Sequence, residues 1–494
     1  MNESNWSDEL LAGLYDAQLP ASIPILPAYD LAARFLLPPA HTDPAGAWFD
    51  VVPLGQERVA LVVGDVVDTG VVGAATVGQV RAVMRTALAD REEVGAALEL
   101  AEIFAGLSME ARGTTLVVVV LEPSSRSMTY CTAGHFPPAI VDRHGTARSL
   151  EVTGSGPLGS GLSFTCAAHS LDPGEIVVLH SSGVAAVPPS RQPDSHRSSE
   201  AERVCEAVVH LTSGTGHAAA TAALAAQARL QPLPSLSIEL LADSTAVRKA
   251  REALVTWLED ITASPMAAMA VVHAGVELVA NSVEHAHVSP LSTGRTVTVQ
   301  GVLSQDGEVT VEVRDRGTWR EAGTGIARGR GLAMAAGLVD HVQVNADARG
   351  TLGLLRHRLS RPVQILEGAA PCAADPVGDL EVTCPAPGTV TLSGDFGPDD
   401  VERVATDLLL ASPGGTRDLI VDLSEVTYLS SAAARLLWDT ARRCAARDMP
   451  SRVSFHASHS SPVRSSLELA RLPYVDTADP LRGLAGSSQR RRLA

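Results

Sequence analysis

The sequence predicts a multidomain protein that joins α+β and α/β units, and three observations carry that reading. The chain is 494 residues long, beyond the size at which a single hydrophobic core keeps growing. Its strand and helix signals change rhythm near residues 235 and 378. A Pro/Ala-rich stretch without periodicity, 362–377, reads as a linker. Domains at 1–235, 236–361 and 378–482 follow, with a tail at 483–494.

The elements follow in order. Residues 1–235 alternate β-rich runs (VALVVGDVV, TTLVVVVLEP, EIVVLHS) with two helical stretches, Ala74 to Ala89 and Glu92 to Leu107. The alternation lacks a strict βαβ rhythm, which predicts a layered α+β domain. Pro188 to Ser199 reads as a loop, and the alanine-rich Glu200 to Leu230 reads as helical. In the second domain a helix from Thr245 to Ile261 precedes the helix carrying ELVANSVEH. TVTVQGVL and EVTVEVRD then alternate with period two around Asp306-Gly307, a hairpin signal. The third domain runs strand (GTVTLSG), helix (Asp399 to Leu410), strand (DLIVDL), helix (Ala433 to Arg447), strand (RVSFHA), helix (Pro462 to Ala470).

Composition bounds the function. Hydrophobic residues make up 45% of the chain, enough for substantial cores. A net charge of −17 opposes a nucleic-acid surface, which needs clustered cations. Lys249 is the lone lysine, and Arg490 to Arg492 form the one basic run, read as a solvated tail. The six cysteines (131, 166, 205, 372, 384, 444) form no Cys-x-x-Cys pair and fit a reducing compartment. No signal-peptide pattern is present, and the longest apolar run, Leu116 to Leu121, is too short to span a bilayer. The expectation is a cytoplasmic protein without direct nucleic-acid or membrane contact.

The richest chemistry lies between Glu277 and Leu352. Glu277, Asn281 and His285 recur every fourth residue, so they share one side of a helix. An amide oxygen there can hold Mg²⁺, and a carboxylate one turn earlier can orient or deprotonate a hydroxyl. Asp315 ends a strand, where its carboxylate can accept the adenine amino group, and Gly317 lets the base approach the backbone. Gly329, Arg330 and Gly331 open a helix whose amides and dipole can receive phosphate. Thr351, on the next strand, can bond near the adenine. Each item alone is weak; the four elements in this order favour ATP binding.

This set resembles the GHKL ATPases and, within them, the RsbW-like anti-sigma serine kinases, over Leu241 to Leu359. The resemblance implies a Bergerat α/β sandwich with Asn281 as Mg²⁺ ligand and Glu277 as base. Asp315, Gly317, Gly329, Gly331 and Thr351 would contact the nucleotide. Trp319 replaces a second family glycine. No helix pair bearing a phosphorylatable His precedes the motif, which disfavours a histidine kinase. Kinases of this kind are dimers, so a homodimer is implied.

Upstream, AGAWFDV (45–51), GDVVDTG (64–70), GTTL (113–116), AGHFPP (133–138), GPLG (156–159) and LHSSG (179–183) resemble, in order, the SpoIIE-like serine phosphatases. That metal-dependent PPM class is a layered β-sandwich with helices, and it bridges Mg²⁺ or Mn²⁺ ions with aspartates. Here Ala47 stands for the first metal aspartate, while Asp50 and Asp65 remain as metal-site candidates. Ser181, Ser182, Gly183 replace Thr-Asp-Gly, and no acid falls between Gln231 and Ile238. The expectation is a pseudophosphatase that keeps fold and partner surface. Downstream, DLIVDLSEVTYLSSAAARLLW resembles the STAS domain of anti-anti-sigma factors, over about 378–480. Ser431 occupies the phospho-acceptor position, with Ser430 and Ala433 in place of the family's Asp and Gly. The bland alternative for Ser431 is an unmodified N-cap.

The three resemblances imply a fused partner-switching regulator of sigma-factor activity. Its ATP-Mg²⁺ domain would act as a serine kinase on a STAS-type antagonist, its own STAS domain included, or would hold a sigma factor. Two alternatives stay open: an active phosphatase acting on an anti-anti-sigma factor, and a scaffold gated by nucleotide.

Overall fold

A computed structural model of the chain describes residues 19–37, 46–68, 70–153, 155–161, 163–181, 199–214, 220–285, 296–316, 330–347, 350–367, 380–397, 400–412, 418–445, 452–457, 463–464, 467, 472 and 474–476. The N-terminal domain contains β1 (Ser22–Pro24), β2 (Tyr29–Leu37), β3 (Gly46–Pro53), β4 (Val59–Val66), α1 (Gly70–Arg91), α2 (Val94–Leu107), β5 (Thr115–Glu122) and β6 (Ser127–Ala133). It continues through β7 (Ala139–Val141), β8 (Ala147–Ser149), β9 (Ala167–Ser170), β10 (Ile176–His180), α3 (Glu200–Gly214) and β11 (Thr221–Ala228). The middle domain has β12 (Leu236–Leu241), α4 (Ala246–Asp260), α5 (Pro265–His285), β13 (Thr296–Leu303), β14 (Glu308–Asp315), α6 (Arg330–Leu338), β15 (His341–Asp347) and β16 (Gly350–Arg358). Two short strands follow, β17 (Ser360–Pro362) and β18 (Gln364–Glu367). The last domain has β19 (Glu381–Ala386), β20 (Thr389–Phe396), α7 (Val401–Ala411), β21 (Leu419–Leu429), α8 (Ser431–Ala445), β22 (Val453–Ala457) and β23 (Tyr474–Asp476).

In the N-terminal domain a sheet of order β3-β4-β5-β6-β9 faces one of order β18-β2-β11-β10-β7-β8. Phe35, Phe49, Leu61, Val119 and Leu224 fill the space between them. Helices α1 and α2 cover the first sheet through Trp48, Met84, Leu88 and Leu98, and α3 covers the second through Val204 and Val208. Strands β4 and β5 are buried on both faces, which explains their unbroken apolar runs. This is the layered PPM-type sandwich.

Two expectations fail here. The alanine-rich stretch to Leu230 is not all helix: α3 ends at Gly214, and Thr221–Ala228 is strand β11. Paired to β2 and β10 along both edges, it gains ladder bonds that outweigh alanine's advantage of about 0.5 kcal/mol per residue in helices. Small side chains also let α3 lie close over it. The expected linker from Pro362 begins instead with β18, which adds to β2 in parallel register.

The middle domain stacks α4 and α5 on the sheet β12-β13-β14-β16-β15, around Leu254, Trp257, Val271, Leu278, Val311 and Leu355. The hairpin at Asp306-Gly307 joins β13 to β14 as expected. Pro265–Glu284 is long and apolar enough to cross a membrane by composition, yet half of it is buried inside this domain. Its apolar content serves the core. The C-terminal sheet runs β19-β20-β21-β22-β23, with an antiparallel first pair and parallel pairs after it. Phe396, Val421, Leu437 and Phe455 form its core. These are the α/β sandwich and the STAS fold.

The first two domains are laced together. β1 pairs with β17, and Ile25 is buried in the middle domain's core. Arg361 bonds the Leu31 carbonyl at 2.8 Å and Thr262 Oγ1 at 2.9 Å, and approaches Glu202 at 3.3 Å and Asp30 at 3.5 Å.

Candidate functional site: a nucleotide pocket and a remodelled phosphatase centre

Helix α5 carries Glu277 and Asn281, both half-buried, over β14 and β16. Asp315 ends β14 directly opposite Thr351 on β16, and both are buried. Two glycines make this closeness possible. A Cβ on Gly350, whose φ is +142°, would lie 2.0 Å from the Asp315 carbonyl oxygen. One on Gly353 would lie 2.9 Å from Leu278, so the glycine lets α5 settle onto the sheet. His285 closes α5, and Arg330 and Gly331 open α6; of their side chains nothing is described. Gly317 and Gly329 lie outside the described residues, as does Trp319.

Nδ2 of Asn281 and Oγ1 of Thr351 are buried without a hydrogen-bond partner. A buried polar group left so costs about 1–3 kcal/mol, so their persistence points to a ligand that completes them. Rotating the amide exchanges its oxygen and nitrogen, so the Asn281 position can present oxygen to a cation. These residues fit ATP with Mg²⁺.

The phosphatase centre is different. On β3, Ala47, Phe49 and Val51 face the sandwich interior, and Trp48 and Val52 face the helices. Asp50 belongs to the second face, where Arg85 Nη1 holds its carboxylate at 2.9 Å and Arg81 Nε at 3.4 Å. Burial pushes the Asp50 carboxyl above its ordinary range, against the pull of Arg85 and Arg81. Asp65 faces the interior side, with Ala47 as its register partner. Asp50 and Asp65, the two residues named as metal-site candidates, therefore lie on opposite faces of the sheet.

Around Asp65 the neighbours are structural. His135 Nδ1 stands 3.8 Å from its carboxylate. Complete burial lowers His135 to about 3 and His180 to about 4, so both are neutral near pH 7 and the contact is no ion pair. Ser181 exchanges hydrogen bonds with Ala222: its N–H donates to the Ala222 carbonyl, and its Oγ accepts the Ala222 N–H, each at 3.0 Å. Ser182 lies outside the described residues. Among the described residues no group of three or more His, Cys, Asp or Glu could hold a metal ion. These residues do not fit a two-metal centre.

In the third domain Ser430, not Ser431, caps α8: its Oγ accepts the Ala433 N–H at 3.2 Å and its N–H donates to Phe396 O. Ser431 is the first helical residue, and nothing of its side chain is described. Three residues earlier, Tyr428 has its phenol pushed above the usual range by burial, then by Asp65 and Asp395. Sequence reasoning missed Arg81 and Arg85, although their one-turn spacing on a helix was a signal. It also missed Arg361, whose role depends on tertiary contacts.

Family models match in the same order. Residues 55–235 match Stage II sporulation protein E (SpoIIE), 240–355 a histidine kinase-like ATPase domain, and 383–474 the Mlab, STAS domain. The crystal structure of the RsbU and RsbW domains of Rv1364c from Mycobacterium tuberculosis is 33% identical, with a TM-score of 0.61. It covers 71% of this chain and 98% of its own. The phosphatase domain of SpoIIE with a regulatory fragment, from Bacillus subtilis, matches over 41% of this chain and 64% of its own at 11% identity and a TM-score of 0.34. Protein IcfG of Synechocystis is 26% identical over 195 residues, which are 34% of this chain and 30% of that protein. The chain thus spans under a third of that curated relative. The fold and site define a phosphatase-type domain joined to a GHKL-type ATPase domain. The chain belongs to the family of fused RsbU–RsbW regulators, with a STAS domain appended, the domain set of a partner-switching regulator of sigma-factor activity.

Proposed function

We propose that the middle domain is an ATP-dependent serine kinase acting on a STAS-type anti-anti-sigma partner, and that the N-terminal domain is a pseudophosphatase that docks such a partner. Bound ATP–Mg²⁺ supplies the phosphoryl group and neutralises its charge. Asn281 holds the cation, and Glu277 orients and accepts the proton of the serine hydroxyl. Asp315 and Thr351 fix the adenine, and by the family resemblance Gly317 would also contact it. By the family resemblance, His285, Gly329, Arg330 and Gly331 would contact the nucleotide, the last three receiving phosphate.

The observation that carries this reading is the pair of buried, unpartnered atoms, Asn281 Nδ2 and Thr351 Oγ1. The docked partner is the chain's own STAS domain or another. Ser431 is the acceptor in the first case. Incubation with ATP and Mg²⁺, alone and with a STAS protein, followed by intact-mass measurement, tests both. One phosphoryl group on serine, absent in Asn281→Ala, supports the kinase; binding of ATP without transfer leaves a nucleotide-gated scaffold. Manganese-dependent release of phosphate from a phosphorylated STAS protein, abolished by Asp65→Ala, would overturn the pseudophosphatase.

A further inference from the structure

The N-terminal domain brings together two cysteines that neither site uses. Strands β6 and β9 pair antiparallel with Tyr130 opposite Ala167. One more step of that register sets Cys131 opposite Cys166. Directly opposed residues have Cα atoms about 4.5–5.5 Å apart, within the span a disulfide bridges. Both thiols are free.

Side chains reinforce the register. Ser155 Oγ lies 3.7 Å from Cys131 Sγ and accepts the N–H of Thr165 at 3.0 Å. The residue before Cys166 and the Cys131 sulfur therefore meet on one hydroxyl. A Cβ built on Gly95 would lie 3.6 Å from Cys166 Sγ, which puts that sulfur against the first turn of α2. Cys166 is exposed and Cys131 is wholly buried, so a solvent oxidant reaches one and the other lies behind it. Hydrogen bonding from Cys166 lowers the Cys131 thiol to about 7 and raises that of Cys166. One proton is shared, and the pair rather than either residue titrates.

We propose that Cys131 and Cys166 form a peroxide-responsive dithiol that closes to a disulfide and locks the segment between them. As the exposed Cys166 sulfur attacks one oxygen of a hydroperoxide, the Cys131 thiolate takes its thiol proton; the O–O bond breaks, the other oxygen leaves with a proton from solvent as an alcohol or water, and Cys166 becomes a sulfenic acid. The Cys131 sulfur then attacks that sulfur, the S–S bond forms, and hydroxide leaves with the proton Cys131 had taken up, as water. The peroxide gains the two electrons that the thiols lose. The closed segment, 132–165, holds His135 beside Asp65 and the GPLG turn. Oxidation thus stiffens one wall of the docking domain without touching the nucleotide pocket.

The test uses the reduced full-length chain and hydrogen peroxide, followed by peptide mapping without reductant. The expected result is a linked pair of peptides holding Cys131 and Cys166, lighter by two hydrogens, absent in Cys166→Ser and reversed by dithiothreitol. The melting temperature of the N-terminal domain should rise on the order of 5 °C on oxidation. Before oxidation, alkylation should label Cys166 well ahead of Cys131. The proposal is overturned if both thiols remain alkylatable after peroxide, if Cys166 goes to sulfinic acid without the cross-link, or if either cysteine pairs with Cys372, Cys384 or another chain. None of these outcomes depends on ATP, so the dithiol can fail while the kinase reading stands.

Discussion

The nucleotide pocket and the Asp65 centre differ in what their buried polar groups are doing. In the middle domain, Asn281 and Thr351 keep atoms that no protein group satisfies. In the N-terminal domain, Asp50 is held by two arginines and Ser181 by both backbone groups of Ala222. His135 Nε2 beside Asp65 is likewise buried without a partner, so the contrast lies in Asp50 and Ser181, whose polar groups other protein groups already hold. The largest expected effect tests the open site. Asn281→Ala should weaken ATP binding about 100-fold, the scale on which metal-supporting groups act, while the melting temperature without nucleotide holds. Calorimetric titration and thermal scans measure the two. A drop in stability with ATP affinity intact would make the amide structural.

The closed centre makes its own prediction, through acid. His135 is lowered from 6.5 to about 3 by burial. Its neutral form therefore supports the fold above pH 6.5, and that support is lost as pH falls toward 3. Between pH 6.5 and 5 the loss from this residue is about 2 kcal/mol, and His180, lowered to about 4, adds to it. Urea melts across that window should show the N-terminal domain weakening faster than the middle one. His135→Gln should flatten the slope; an unchanged slope would mean that another group carries it.

Whether the two regions communicate depends on Arg361. It reaches Asp30, Glu202 and Thr262, so it ties the end of the middle domain to the first. Removing it should cost about 1–2 kcal/mol, because Asp30 keeps Arg229 at 3.5 Å. If β17 and β18 transmit nucleotide binding, ATP raises the melting point of the N-terminal domain in the parent chain and not in Arg361→Ala. Equal shifts in both would assign the coupling to the strand pairing alone.

Much of this was legible in the residues. Period-two alternation around Asp306-Gly307 announced its hairpin, and Asp315 and Thr351 fall on neighbouring strands as their motifs suggested, because local spacing controls those features. What stayed hidden depended on partners distant in the chain. The alanine-rich run 222–226 read as helix until two neighbouring strands claimed it. Asp50 read as a metal ligand because motif order does not reveal which face of a sheet a carboxylate occupies. Pro362 to Glu367 read as linker because its hydrogen bonds go to β1 and β2. The acceptor turn was one residue out in its capping, since Ser430 and Ser431 both satisfy the sequence preference for an N-cap.

The smallest effect is also the sharpest probe of the closed centre. Ala47 lies opposite Asp65 in the β3–β4 register, so Ala47→Asp restores a second carboxylate on the interior face. Without metal the two charges repel in a buried place, and the variant should melt below the parent. Manganese should recover part of that loss, about 1.4 kcal/mol at tenfold excess over its dissociation constant, and should leave the parent chain unmoved. Asp50 takes no part, because its carboxylate stays with Arg81 and Arg85 on the far side of the sheet. If manganese stabilises the parent chain as strongly as the variant, Asp65 already has metal-binding company and the centre is not closed. If it stabilises only Ala47→Asp, one substitution at position 47 separates a docking module from a metal site.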